Sequence, residues 1–223
     1  MKGAALVAAA IGLQVAAAAA QTAAAAWSEL PSARRSGMFA ILLDDGTGAG
    51  ASSGLGAILS ERGVPVARWD CGHYLAAITT AETAASALAN AIEHYSAQWR
   101  SQRVLLIGQE RCAAILPLLF QQLSPAQRAK VVQLSLLDPT ASLPTPLLAD
   151  RKALVASLNQ VGGAGVQCLS TAANAICDST ELTGAEKWAV PSNSEGISHS
   201  DIARRVLAGA RRRSGGRNQS RQR

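Results

Sequence analysis

Arg103-Val104-Leu105-Leu106-Ile107-Gly108-Gln109-Glu110-Arg111-Cys112 is the stretch on which the fold turns. After its arginine the run is apolar and β-branched, and Gly108 stops it, which predicts a short buried strand. From Ala113 to Leu123 the apolar side chains recur at helical spacing. Strand, tight glycine turn and helix form the setting of a nucleophile elbow, where G-x-S-x-G lifts a serine above a sheet. Here the third position of that pattern is Glu110 and the fifth is Cys112. The scaffold of the elbow is expected to persist without the hydroxyl that attacks.

Outward from the elbow, strands and helices alternate. Met38 to Leu43 reads as a strand, and Ser52 to Arg62 as a helix that Gly63 ends as a C-cap. Val64 to Trp69 is the next strand. Thr80 to Trp99 is a long amphipathic helix, with Thr80 and Glu82 supplying cap and dipole chemistry in its first turn. Beyond the elbow helix, broken near Ser124-Pro125, Lys130 to Leu137 is a continuous apolar strand. A proline-rich loop then leads to a helix or irregular segment over Asp150 to Leu158. Val166 to Leu169 and Lys187 to Val190 are short strands, and Asp201 to Arg211 is a closing helix. Strands separated by helices of this length predict an α/β fold: one domain over 27–210, a mainly parallel sheet with helices on both faces.

An apolar content of 48% and a charged content of 16% describe a globular chain of 223 residues with a sizeable core. The net charge of +6 lies at the ends of the chain. Without Lys2 and the six arginines of residues 211–223, 14 bases face 15 acids. The alkaline balance therefore gives no argument for a specific nucleic-acid-binding fold. The tail from Arg211 to Arg223, rich in Gly, Arg, Ser and Gln, is expected to be disordered. Its arginines could make a peripheral contact with anionic lipid headgroups; the bland alternative is a solvated extension.

Residues 1–26 have the layout of a secretory signal: Lys2, an alanine-rich stretch, then Ala-x-Ala options around Ala18-Ala19-Ala20. A membrane anchor is the weaker reading, because alanine barely supports a span and Gln14, Gln21 and Thr22 interrupt it. Export to the periplasm or the exterior makes disulfides admissible. Cys168 and Cys177 are nine residues apart, close enough for a local staple, and are expected to pair. Cys71 and Cys112 are far apart in sequence and are expected to be buried free thiols. No spacing here is that of a zinc site.

Several further pieces together resemble the VirJ/AcvB bacterial virulence protein family. They are Arg62-Gly63-Val64-Pro65-Val66, Trp69-Asp70, Ile92-Glu93-His94-Tyr95 with Trp99, Val104 to Gly108, Arg128 to Leu137, and Ile202 to Gly209. The resemblance implies an exported α/β-hydrolase-fold protein linked to type IV secretion and virulence, with lysyl-phosphatidylglycerol hydrolysis in the AcvB branch. It also implies positions for a triad, and each holds another residue here. The family serine falls on Glu110, its acid nearest Asn174, just before Cys177, and its histidine near Asn193-Ser194. The family's oxyanion loop shortens to a remnant at Gly46 and Gly48, with Arg111 beside the elbow. A serine hydroxyl needs a base to take its proton, and the base needs an acid to fix its tautomer. With all three replaced, the expectation is a non-catalytic pseudohydrolase that binds a lipid headgroup or a secretion-system protein.

One sharper reading makes Glu110 a covalent carboxylate nucleophile, rebuilt with His199 as base and Asp201 nearby, in an active ester or aminoacyl-phosphatidylglycerol hydrolase. Its bland counterpart is a glutamate beside Arg111 or solvent at an inactive elbow. Cys112, two positions from the nucleophile, reads as packing. Asp44-Asp45-Gly46-Thr47-Gly48 lacks the G-K-[ST] and G-x-G-x-x-G fingerprints, and its carboxylates would repel phosphate, so no cofactor is expected. The two aspartates have no companion ligands in view, so no metal is expected. His73 and His94 read as a loop residue and a helix residue without special roles.

Overall fold

The computed structural model describes residues 27–34, 36–44, 51–72, 81–140, 151–190, 192–193 and 196–220. The expected signal segment, Asp45, Gly46, Gly48, His73, Thr80, Ser194 and most of the proline-rich loop lie outside the described residues.

Seven strands form the main sheet. They are β1 (Trp27–Leu30), β2 (Phe39–Asp44), β3 (Val66–Asp70), β4 (Val104–Gln109), β5 (Val131–Leu137), β6 (Gly165–Ser170) and β7 (Ala185–Ala189). Their order across the sheet is β1-β3-β2-β4-β5-β6-β7. Every pairing is parallel except that of β1 with β3. The helices are α1 (Ala51–Glu61), α2 (Ala81–Gln98), α3 (Glu110–Gln122), α4 (Pro125–Lys130), α5 (Arg151–Asn159) and α6 (His199–Ser220). A two-stranded hairpin, β8 (Ser192–Asn193) with β9 (Gly196–Ile197), precedes α6.

Side chains alternate across each strand, so one strand feeds two cores. Phe39, Ile41 and Leu43 of β2 face the core under α2, α3 and α5. Ala40 and Leu42 face the other core, with Leu55 and Leu59 of α1 and Val206 and Leu207 of α6. This three-layer arrangement is the predicted α/β architecture with helices on both faces.

Local chemistry explains the boundaries. Gly63 has a φ of +92°, and the bonds Gly63 N–H to Ser60 O and Val64 N–H to Leu59 O close α1 in a Schellman motif. At α4, Ser124 and Gln127 cap each other reciprocally and Pro125 opens the helix. The sequence reading took that segment only as a break.

One strand was not anticipated, and one expectation is corrected. The stretch after residue 26 contains an edge strand, β1, held where Trp27 pairs with and stacks on Trp69 at 5.1 Å. Its Trp-Ser-Glu-Leu sequence has no apolar run, since an edge strand buries only part of each face. The expectation of disorder from Arg211 to Arg223 is corrected as far as Ser220, where α6 ends, and residues 221–223 lie outside the described residues. The reason is tertiary, because Arg212 and Arg213 both reach the Glu186 carboxylate of β7. Burial pushes that carboxyl up, but the Gln167 amide and the two guanidinium groups outweigh it and hold the group below its ordinary range.

The seam beneath α6 is polar. Gln133 and Gln167, both fully buried, join through Gln133 Nε2 to Gln167 Oε1 at 2.8 Å. Gln133 also donates to the Val206 carbonyl of α6. Gly209 lets the helix approach, since a Cβ there would fall 2.2 Å from Gln167 Nε2.

Candidate active site

The site is built at the carboxyl ends of the parallel strands, where open α/β sheets place their ligands. β4 ends at Gln109, and α3 begins at Glu110 with no linker. Glu110 has a φ of +49°, a left-handed conformation that costs a non-glycine residue about 1–2 kcal/mol. Strand and helix are so close that a Cβ on Gly108 would lie 2.6 Å from Ala113 Cα. Only glycine fits, so the first elbow glycine keeps its packing reason. The strained turn holds the exposed Glu110 at the elbow, and its carbonyl accepts a hydrogen bond from Thr140 N–H at 3.4 Å.

The second elbow glycine has become Cys112, and the expectation of free thiols at Cys71 and Cys112 is corrected. The two are disulfide-bonded, with Cα atoms 6.1 Å apart. Cys71 follows β3 directly, and β2 lies between β3 and β4. Topology supplies a proximity that 41 residues of separation hide. Cys168 and Cys177 pair as expected, with Cα atoms 5.4 Å apart. Two disulfides are at home in an oxidising compartment.

Asn174, in the loop after β6, organises the chain around it. Its Oδ1 accepts from the N–H groups of Ile176 and Cys177, at 3.0 and 3.1 Å. Its Nδ2 donates to the Pro139 carbonyl beyond β5. Both ends of the amide are thus spent on local structure. Near it, Asp138 adopts a φ of +44° and accepts from the N–H and hydroxyl of Thr171 at 2.8 and 2.9 Å. Sequence reasoning missed Asp138, whose signal was an aspartate at the end of a strand, before a proline.

His199 opens α6 and packs against α1, where a Cβ on Gly54 would lie 3.0 Å from its Nδ1. No hydrogen bond or ion pair among the described residues joins it to Glu110. Asp201 binds Arg204 instead. Arg111 is half-buried on the first turn of α3, and His94 stands edge-on to Tyr95. Asp44, at the end of β2, is buried and grips Arg68 of β3 through two hydrogen bonds of 2.5 and 3.0 Å. The Asp44 hydrogen bond pushes the Arg68 pKa upward against the opposing effect of burial. Among the described residues no three His, Cys, Asp or Glu side chains gather as a metal site would require. None of their helices is long and apolar enough to cross a membrane.

A family model described as bacterial virulence protein (VirJ) matches residues 36–142, which hold β2 through β5 and the elbow. No curated protein sequence matches the chain. Among solved structures, the esterase domain of a Rhodothermus marinus protein is similar: 17% identity, 83% of this chain, 90% of that one, TM-score 0.54. Est1E from Butyrivibrio proteoclasticus is 11% identical over 85% of this chain and 93% of its own, at a TM-score of 0.58. A monoacylglycerol lipase from Paleococcus ferrophilus is 11% identical over 82% and 98%, at 0.55. At such identities the likeness is one of fold, and that fold is the α/β-hydrolase fold of esterases and lipases. With the family match across β2 to β5, the chain is similar to the VirJ family over that stretch and has the α/β-hydrolase fold.

Proposed function

We propose that this chain is an exported, periplasmic VirJ-family pseudohydrolase that acts by binding and not by hydrolysis. The observation that carries the reading is Glu110 itself, an exposed carboxylate on a positive-φ elbow where the fold would hold its nucleophile. A carboxylate needs no activation to bind a cation or a hydrogen-bond donor. To turn over an ester it would need a base for the second step. His199, the one histidine late in the chain, is packed on α1, and Asn174 is committed to its own loop. These contacts weigh against the alternative of an active hydrolase rebuilt on Glu110 and His199.

In this reading the partner is a lipid headgroup or a component of a secretion system, and the two disulfides suit residence in the periplasm. The reading is tested by rebuilding the triad with Glu110→Ser, Asn174→Asp and Ser194→His together. The unaltered protein is expected to show no esterase activity and the triple variant a measurable gain. Activity in the unaltered protein that the triple substitution abolishes would contradict the reading.

A further inference from the structure

The amino ends of the strands carry two adjoining cavities at the end of the sheet away from Glu110. The six residues of β4 put roughly 20 Å between the two ends. The first cavity, of about 380 Å³, has Met38, Pro65 and Trp99 in its wall and Arg34 and Arg100 at its rim. The second, of about 290 Å³, has Val64 and Leu207 in its wall with Arg103 and Arg211. Met38 lines both, so the two are neighbours. No acidic side chain lines either.

Arg34, Arg100 and Arg211 are exposed, and no carboxylate among the described residues pairs with them. By contrast, Arg68, Arg204, Arg212 and Arg213 are each paired with an acid. Arg100 is also placed at a conformational cost. The bonds Arg100 N–H to Ala97 O and Ser101 N–H to Ser96 O close α2, and they put Arg100 at the left-handed position that favours glycine, with a φ of +49°. Guanidinium groups lining adjoining cavities without carboxylates suit a phosphate, which they bind bidentately. The apolar walls beside them suit a ligand whose phosphate is joined to a greasy body.

We propose that this paired cavity is a binding site for the phosphate headgroup of an anionic amphiphile, with Arg34, Arg100 and Arg211 on the phosphate and Met38 and Trp99 on the apolar part. It gives the lipid half of the reading above a location separate from the elbow. The proposal does not depend on whether the elbow hydrolyses anything.

The test is co-sedimentation of the full chain with vesicles of phosphatidylglycerol in phosphatidylcholine, beside pure phosphatidylcholine vesicles. Binding to the anionic vesicles is expected. It should fall about a hundredfold in Arg34→Gln/Arg100→Gln/Arg211→Gln, and less than about fivefold in Lys152→Gln, which removes one charge at the other end. These side chains are exposed, and an unchanged melting curve would show that the triple variant folds. Deleting residues 214–223 should leave most of the binding. The proposal is overturned if neither vesicle binds, if that deletion removes the binding while the triple variant keeps it, or if Lys152→Gln is as harmful as the triple variant. Inorganic phosphate binding with no preference for anionic vesicles would make this a free-phosphate site and overturn the lipid assignment. None of these outcomes touches turnover, so failure here is distinct from failure of the pseudohydrolase reading.

Discussion

Cys112 stands two residues beyond Glu110 and is bonded to Cys71 at the exit of β3, so a covalent bridge reaches past β2 and ties the elbow to the sheet. The position that would carry a glycine now carries a cross-link. The elbow carries a carboxylate where the G-x-S-x-G pattern carries a serine, and a covalent restraint helps to hold its shape.

That restraint has a measurable size. In the chain-entropy model a bridge closing 41 residues is worth about 4 kcal/mol, and one closing nine about 2.5 kcal/mol. Urea unfolding of Cys71→Ala/Cys112→Ala should therefore show the larger loss, and Cys168→Ala/Cys177→Ala the smaller. Equal midpoints for both variants and the unaltered protein would mean that neither bridge restrains the unfolded chain.

Strain at the elbow predicts opposite signs at two neighbouring residues. Glu110→Gly relieves a left-handed conformation and should stabilise by about 0.5–1 kcal/mol after glycine's own entropy cost. Gly108→Ala drives a methyl group into Ala113 and should destabilise by about 1–3 kcal/mol. Thermal melts of the two variants check both signs, and a destabilised Glu110→Gly would remove the strain from the description.

A serine alone should not revive the site. Glu110→Ser is expected to give no hydrolysis of a p-nitrophenyl ester, because the hydroxyl would meet no histidine base positioned by an acid. Turnover by that single variant would reveal a base that the packing of His199 does not disclose.

Acid should loosen the end of α6. Glu186 sits below its ordinary range through Gln167, Arg212 and Arg213. A depressed carboxyl contributes stability that is present above its unfolded pKa and is lost as pH falls through its lower folded value. The group is partly exposed, so the effect is small. Amide exchange in residues 205–213 should quicken as pH drops below the usual glutamate range, after correction for intrinsic rates. Glu186→Gln should flatten that dependence.

The main sheet was largely legible because its strands are buried on both faces and read as apolar runs, such as Val131 to Leu137. Gly108 and Gly63 marked their turns for reasons that the backbone bears out. What stayed hidden depends on distant partners. β1 is a strand because Trp69 is there to stack on Trp27. Cys71 meets Cys112 only through the strand order, and the helix past Arg211 is anchored by Glu186 from another strand. At the site, the sequence marked Glu110 and Asn174 as replaced positions. It could not tell that Asn174 spends both ends of its amide on its loop, or that His199 turns to α1.

The central claim is that this elbow binds and does not hydrolyse. It is tested most directly by incubating the purified protein, beside Glu110→Ala, with lysyl-phosphatidylglycerol and with a p-nitrophenyl ester. No release of lysine or of p-nitrophenol above the buffer rate by either protein is predicted. Turnover by the unaltered protein that vanishes in Glu110→Ala would contradict the claim and make Glu110 a catalytic carboxylate.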